Sequence, residues 1–180
     1  NPFTAERINQ FSNELCIRRD WDYNMMIKRL LLKNWKNFSS VDISFQSRMF
    51  IVGPNASGKS NFLDVFRFLH DISKQGGSLF DALERRGGIS KLRCLAARTN
   101  SQIEIEVHIE EPGETPVNWI YRLGINRQPH GKHDPCVSYE IVIKNGETIL
   151  SRPDVDDLKD ETLLSQTHLE QTSANGKFRV

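Results

Sequence analysis

An excess of charge of either sign is missing from this chain: 24 Lys and Arg stand against 23 Asp and Glu in 180 residues. No net field therefore favours nucleic acid or an acidic membrane, and only a local basic patch is left open as a site for either. Long apolar runs are missing too. None approaches the ~18 residues of a membrane span, and the N-terminus lacks the basic-then-apolar order of a secretory signal. Cysteine is scarce: Cys16, Cys94 and Cys136 are odd in number and scattered. They make no disulfide framework, and a reducing cytoplasm is the expected setting. Internal repeats and low-complexity tracts are also absent. What is there is ordinary for a soluble globular protein, 38% hydrophobic and 26% charged residues, in a length that fits one domain or one domain with an extension.

Residues 1–24 differ in pattern from the rest of the chain. Phe3, Ile8, Phe11 and Leu15 have roughly helical spacing, so this stretch is expected to be an amphipathic helix or a leader peripheral to the chemistry. From Met26 the pattern sharpens. MIKRLLL (26–32) reads as a strand, KNWKNFSS (33–40) as a polar connection with aromatics, and VDISFQ (41–46) as a strand alternating Val41, Ile43 and Phe45 on one face. RMFIVG (48–53) reads as a buried strand ended by its glycine. A helix is expected over 59–74. Its apolar positions Phe62, Leu63, Val65, Phe66, Phe68, Leu69 and Ile72 cover most of its circumference, which predicts burial nearly all round. A second helix spans about 79–86. Strands come next at 102–110, 117–125, 137–144 and 147–152, the last two joined by Asn145–Gly146, a favoured two-residue hairpin turn. The segment 153–180 is polar and charged, with a helix expected near 156–170.

The chemistry concentrates in GPNASGKS, Gly53 to Ser60, which satisfies G-x-x-x-x-G-K-[ST]. A polyphosphate needs several backbone N–H groups converging on it, and a loop between strand and helix supplies them. Gly53 and Gly58 allow dihedrals and close approach that a side chain would block. The helix after the loop aims its positive end at the phosphates. Lys59 is the candidate catalytic charge on the β- and γ-phosphates, and Ser60 the candidate hydroxyl ligand of Mg²⁺. Nucleotide binding is the strong reading.

The stretch LLLKNWKNFSSVDISFQSRMFIVGPNASGKSNFLDVFRFL resembles the opening of an ATPase of the ABC/SMC/RecF class, and more narrowly the bacterial AAA family ATPases with RecF-like heads. The likeness rests on a first strand ending in K-N-[FW]-[RK]-x-F, a short second strand, and G-x-N-x-[SA]-G-K-S-N; RRGGISKLRCLAAR (85–98) together with IEIEVHI (103–109) extends it. The resemblance implies an α/β fold: a P-loop NTPase core (ABC/SMC-type head, N-terminal lobe) with an antiparallel β-subdomain. It divides the chain into an extension at 1–24, a nucleotide-binding core at 25–100, the β-subdomain at 101–152, and a polar tail or start of the next lobe at 153–180. It implies ATP and Mg²⁺ as cofactors, held by Gly53, Pro54, Asn55, Ala56, Ser57, Gly58, Lys59, Ser60 and Asn61. Lys36 falls where relatives carry a basic residue near the phosphates or adenosine. Trp35 is read as packing under the first strand, with an adenine face as the alternative. The resemblance further implies a homodimer or larger oligomer through ATP heads, DNA as a partner, no membrane, and a setting in DNA repair or anti-phage defence.

Some parts of that pattern are not in the sequence. No run of four apolar residues ends in Asp-Glu, the carboxylate pair such ATPases use on Mg²⁺ and water. There is no LSGG-like signature and no late switch histidine, and Gln166 and Gln171 are late candidates for a metal-approaching glutamine. The chain therefore reads as the N-terminal lobe of a larger ATPase, expected to hydrolyse ATP negligibly by itself. A non-hydrolysing, nucleotide-sensing interaction module is the alternative. A P-loop kinase is less favoured, because Arg85, Arg86, Arg93 and Arg98, its only hint of a lid, read as a solvated surface. A small GTPase would need N-K-x-D, which is absent. His130, His133 and Cys136 form H-x-x-H-x-x-C without a well-placed fourth ligand, so a polar hairpin loop is expected there rather than zinc. Arg18–Arg19 and Arg85–Arg86 are short basic pairs, less than a groove-lining patch.

Overall fold

The structure is a computed structural model that describes residues 25–95, 102–113, 115–127 and 134–170. The N-terminal leader, Arg98, His130, His133 and Gln171 lie outside the described residues.

Six strands form one antiparallel sheet in the order β2-β1-β3-β4-β5-β6. They are β1 (Met26–Trp35), β2 (Phe38–Ser44), β3 (Ile103–Glu111), β4 (Val117–Arg127), β5 (Pro135–Lys144) and β6 (Glu147–Arg152). The alternation read from the sequence is what the sheet uses. Leu30 and Leu32 of β1, Ile103, Ile105, Val107 and Ile109 of β3, and Trp119, Tyr121, Leu123 and Ile125 of β4 are buried on one face. Charged residues between them pair across strands on the other, as Lys33 does with Glu104 and Arg122 with Glu106. β1 pairs with β2 on one side and β3 on the other. Strands from both sides of residue 100 therefore share one ladder. The connection expected at 33–40 shrinks to a two-residue turn, Lys36–Asn37, because β1 and β2 run on into it.

Three helices complete the core: α1 (Lys59–Ser73), α2 (Leu79–Glu84) and α3 (Ile89–Leu92). α1 contributes Phe62, Val65, Phe68, Leu69 and Ile72 to the same cluster as the inner sheet residues. It is not buried all round. Leu63 is 44% exposed and Phe66 only half-buried, so the helix is amphipathic, with Asp64 and Asp71 flanking its apolar stripe. Gly77 stops it. A Cβ there would lie 2.2 Å from the Asp71 carbonyl oxygen.

The largest departure from expectation is 48–53. This run joins no strand; Phe50 is 87% and Val52 88% exposed. A buried strand needs a neighbour for its N–H and C=O groups as well as apolar side chains. Among the described residues, edge strand β2 pairs only with β1, and no strand lies beside 48–53.

The segment after β6 is firmly tied to the sheet. It holds a short 3-10 helix (Glu161–Ser165) in place of the longer helix expected at 156–170. Arg152 donates to both carboxylate oxygens of Asp157 at 2.9 and 2.6 Å, to Glu140 at 3.3 Å, and to the carbonyls of Gln166 and Leu163 at 3.1 and 2.9 Å. Glu140, fully buried, also accepts from the Tyr121 hydroxyl at 2.9 Å and the His168 N–H at 2.6 Å. Leu169 then joins the core, and Glu170 accepts from the Leu79 N–H at 2.9 Å.

One close approach in the sheet yields a test. Gly124 sits opposite Tyr139, and a Cβ on it would lie 2.4 Å from the ring. Gly124→Ala is expected to displace the ring and cost ~1–3 kcal/mol, the usual range for overpacking. Urea denaturation measures this; a variant as stable as the parent would show that the ring is free to move.

Candidate functional site

The phosphate-loop residues occupy the curl between the unpaired 48–52 run and α1. Ala56 and Gly58 have φ of +62° and +99°. Gly58 is the N-cap of α1, with no side chain capping the helix, so the N–H groups of the first turn have no intrahelical partner. A Cβ at Gly58 would lie 2.4 Å from Asn37 Nδ2 and 3.0 Å from Phe38 Cζ. The β1–β2 turn thus presses directly on the base of the loop. Glycine is required here twice over, by dihedral and by space.

Lys59 turns back into the curl. Its Nζ donates to the carbonyls of Gly53 at 2.7 Å and Pro54 at 2.6 Å, and reaches Ser57 Oγ at 3.4 Å. Gly53, Pro54, Asn55, Ala56 and Ser57 are exposed, and so is Ser60 at the start of α1. Asn61 reaches the turn: its Nδ2 donates to Asn37 Oδ1 at 2.8 Å, and its carbonyl accepts from Trp35 Nε1 at 2.8 Å. Trp35 is fully buried, with its ring edge-on to Phe68 at 5.3 Å. It packs under the first strand and has no face free for a base.

Lys36, on the same turn, has φ of +50°, the left-handed region that non-glycine residues rarely adopt. Its Nζ lies 2.7 Å from Asp64 Oδ2. Arg86 Nε lies 3.0 Å from the same oxygen, and Arg86 Nη1 3.0 Å from Asp71 and 2.7 Å from the Ala82 carbonyl. The Arg86 guanidinium also sits 5.3 Å from the centre of the Phe68 ring. Burial pushes the Asp64 carboxyl up, but the hydrogen bonds from Lys36 and Arg86 outweigh it and hold the group below its ordinary value. Arg86 is therefore no solvated arginine: its side chain is 8% exposed. Arg85 is the exposed member of the pair, at 58%.

Beside the turn lies a cleft of about 580 Å³, lined among others by Lys36, Asn37, Asn61, Arg86, Lys91 and Arg93. The 92–94 backbone closes one side of it: the Lys36 N–H donates to the Leu92 carbonyl, and the Cys94 N–H to Asn34 at 3.0 Å. Four cations and no carboxylate line the cleft, which suits an anion. Among the described residues no group of three His, Cys, Asp or Glu could hold a metal ion. Gln166 lies elsewhere, with its carbonyl on Arg152 at the β6 end of the sheet.

Sequence reasoning named the loop, Lys36 and Asn61, which the structure brings together around the β1–β2 turn. It missed Asn37 and Asp64, and the available signal was spacing. Asp64 lies four residues after Ser60 and Asp71 seven after Asp64, which puts all three along one side of α1.

Among curated proteins, the chain is similar to the DNA replication and repair protein RecF of Agathobacter rectalis, 28% identical over 107 residues, covering 58% of this chain and 28% of that protein. It is also similar to RecF of Lactobacillus johnsonii, 31% identical over 101 residues, 55% of this chain and 26% of that one. The chain spans about a quarter of the length of the curated relatives it matches. Among solved structures, the recombination mediator protein RecF of the RecFOR pathway, as RecF-ATPrS, is 20% identical with a TM-score of 0.42, covering 69% of this chain and 28% of that one. A structure from work on ATP-driven dimerization and DNA-stimulated activation of SMC ATPases is 25% identical with a TM-score of 0.40, covering 68% and 70%. No described helix is long and apolar enough to cross a membrane. Residues 48–172, well over half of the chain, match the family "AAA domain, putative AbiEii toxin, Type IV TA system", and the chain belongs to that family, with a P-loop core of the ABC/SMC/RecF-like ATPase class.

Proposed function

We propose that this chain binds ATP with Mg²⁺ through Gly53–Asn61 and serves as the phosphate-gripping part of a RecF/SMC-like ATPase. The observation that carries the reading is the loop as built: Gly58 is wedged against the β1–β2 turn, α1 starts uncapped behind it, and the Lys59 ammonium is held inside the curl. When bound, Mg²⁺ would neutralise charge between the phosphates, with Ser60 as its protein ligand. Lys59 would exchange the Gly53 and Pro54 carbonyls for phosphate oxygens, so that the same charged donor passes from neutral to anionic acceptors. The first-turn N–H groups of α1 would complete the cradle. Lys36 and the neighbouring cations would favour the rest of the nucleotide electrostatically.

Dimerisation through ATP heads, contact with DNA, and a role in DNA repair or anti-phage defence extend this reading by family resemblance. A nucleotide-sensing module without hydrolysis is the second reading. It is favoured by the state of Asp64, a carboxylate one turn past Ser60 that is committed to two cations instead of poised as a base.

Calorimetric titration of the chain with Mg²⁺–ATP, ADP and AMP tests the proposal. Saturable ATP binding, weakened by chelating Mg²⁺ and nearly absent for AMP, is expected, because the contacts are to the terminal phosphates. AMP binding as tightly as ATP would overturn it. Turnover by the chain alone is expected to be negligible.

A further inference from the structure

We infer that Asp64 is a positioning residue that competes with the bound anion for Lys36, so that the site carries its own exchangeable counter-ion. The inference rests on the nucleotide-binding reading above. Asp64 holds two cations on one oxygen, Lys36 at 2.7 Å and Arg86 at 3.0 Å. The two are not held equally. Arg86 has three other attachments: Asp71, the Ala82 carbonyl and the face of Phe68. Its side chain is 8% exposed and stays in place if Asp64 lets go. The Lys36 ammonium is held by Asp64, and its side chain is 23% exposed at the wall of the cleft.

The turn that carries Lys36 also touches the loop. Asn37, the next residue, packs against Gly58 and accepts from Asn61. An anion in the cleft therefore meets Lys36 already at its wall, and the ammonium would change partner by turning its own side chain. Asp64 keeps Arg86 throughout, so its partly buried carboxylate is not left without a cation. Releasing Lys36 costs the strength of a partly exposed ion pair. That cost is subtracted from the affinity for the nucleotide.

The test is a cycle of variants titrated with Mg²⁺–ATP. Asp64→Asn, and Asp64→Ser as a second, smaller replacement, are expected to tighten binding about three- to fivefold, the equivalent of the upper range for such a pair. In a Lys36→Met background most of that gain is expected to vanish. A merely structural Asp64 would give weaker binding in both backgrounds. Weaker binding in a folded Asp64 variant, or an equal gain without Lys36, overturns the inference while leaving nucleotide binding intact. Absence of saturable Mg²⁺–ATP binding by the unaltered chain overturns the nucleotide reading, and this inference with it.

Discussion

Arg152→Ala is expected to lose about 3–5 kcal/mol of folding stability, the cost typical of breaking a buried ion pair by removing one partner. All five N–H donors of Arg152 are used, on two carboxylates and two carbonyls. Truncation removes a donor from all of these acceptors at once. Glu140 suffers most, because it has no exposure and burial already pushes its carboxyl above the ordinary range despite donors from His168, Arg152 and Tyr121. The carbonyls of Leu163 and Gln166 lose the donor that ties them to the end of β6. Urea denaturation gives the number, and a double-variant cycle gives the cause. Arg152→Met combined with Glu140→Gln is expected to cost clearly less than the sum of the single changes, because each removes the reason for the other's penalty. A loss under ~1 kcal/mol for Arg152→Ala would place the network in contact with water, where ion pairs are worth that little.

Lys59→Ala is expected to weaken Mg²⁺–ATP binding about 100-fold, because losing charged hydrogen bonds to phosphate costs ~2–3 kcal/mol. The variant loses more than a charge. In the free protein the ammonium braces the curl by its bonds to Gly53 and Pro54, so its removal also loosens the loop that the nucleotide must find. Folding stability should change little, within ~0.5 kcal/mol, because the bonds lie at an exposed site. Calorimetry beside thermal melting separates the two effects. Unchanged ATP affinity in a folded Lys59→Ala variant would mean that the nucleotide does not sit in this loop.

Much of this was legible in the residues themselves. Alternation at Leu30 and Leu32, or along Ile103, Ile105, Val107 and Ile109, specifies both strand and buried face. The spacing Gly53, Gly58, Lys59, Ser60 specifies the loop. What escaped has a common cause: it depends on a distant partner. An apolar run such as Met49–Val52 looks the same with or without a neighbouring strand. Asp64 looks like any helical acid until Lys36 and Arg86, 28 and 22 residues away in sequence, close on it. Arg86 and Glu140 are charged, so hydropathy places them outside; only the completed ion pairs make their burial affordable in free energy.

The two ends of the phosphate loop are held differently: Lys59 braces the Gly53–Pro54 end by its ammonium alone. The helix end is wedged between Asn37 and Phe38, whereas the other end runs into four exposed apolar residues with no ladder. On the nucleotide-binding proposal, closing the loop on phosphate would fix the backbone leading into it as well, at a cost in entropy. Thermodynamic linkage turns this into a reciprocal relation. On that proposal, a strand whose pairing with 48–52 fixed the same backbone would raise the affinity for nucleotide, and nucleotide would raise the affinity for that strand by the same factor.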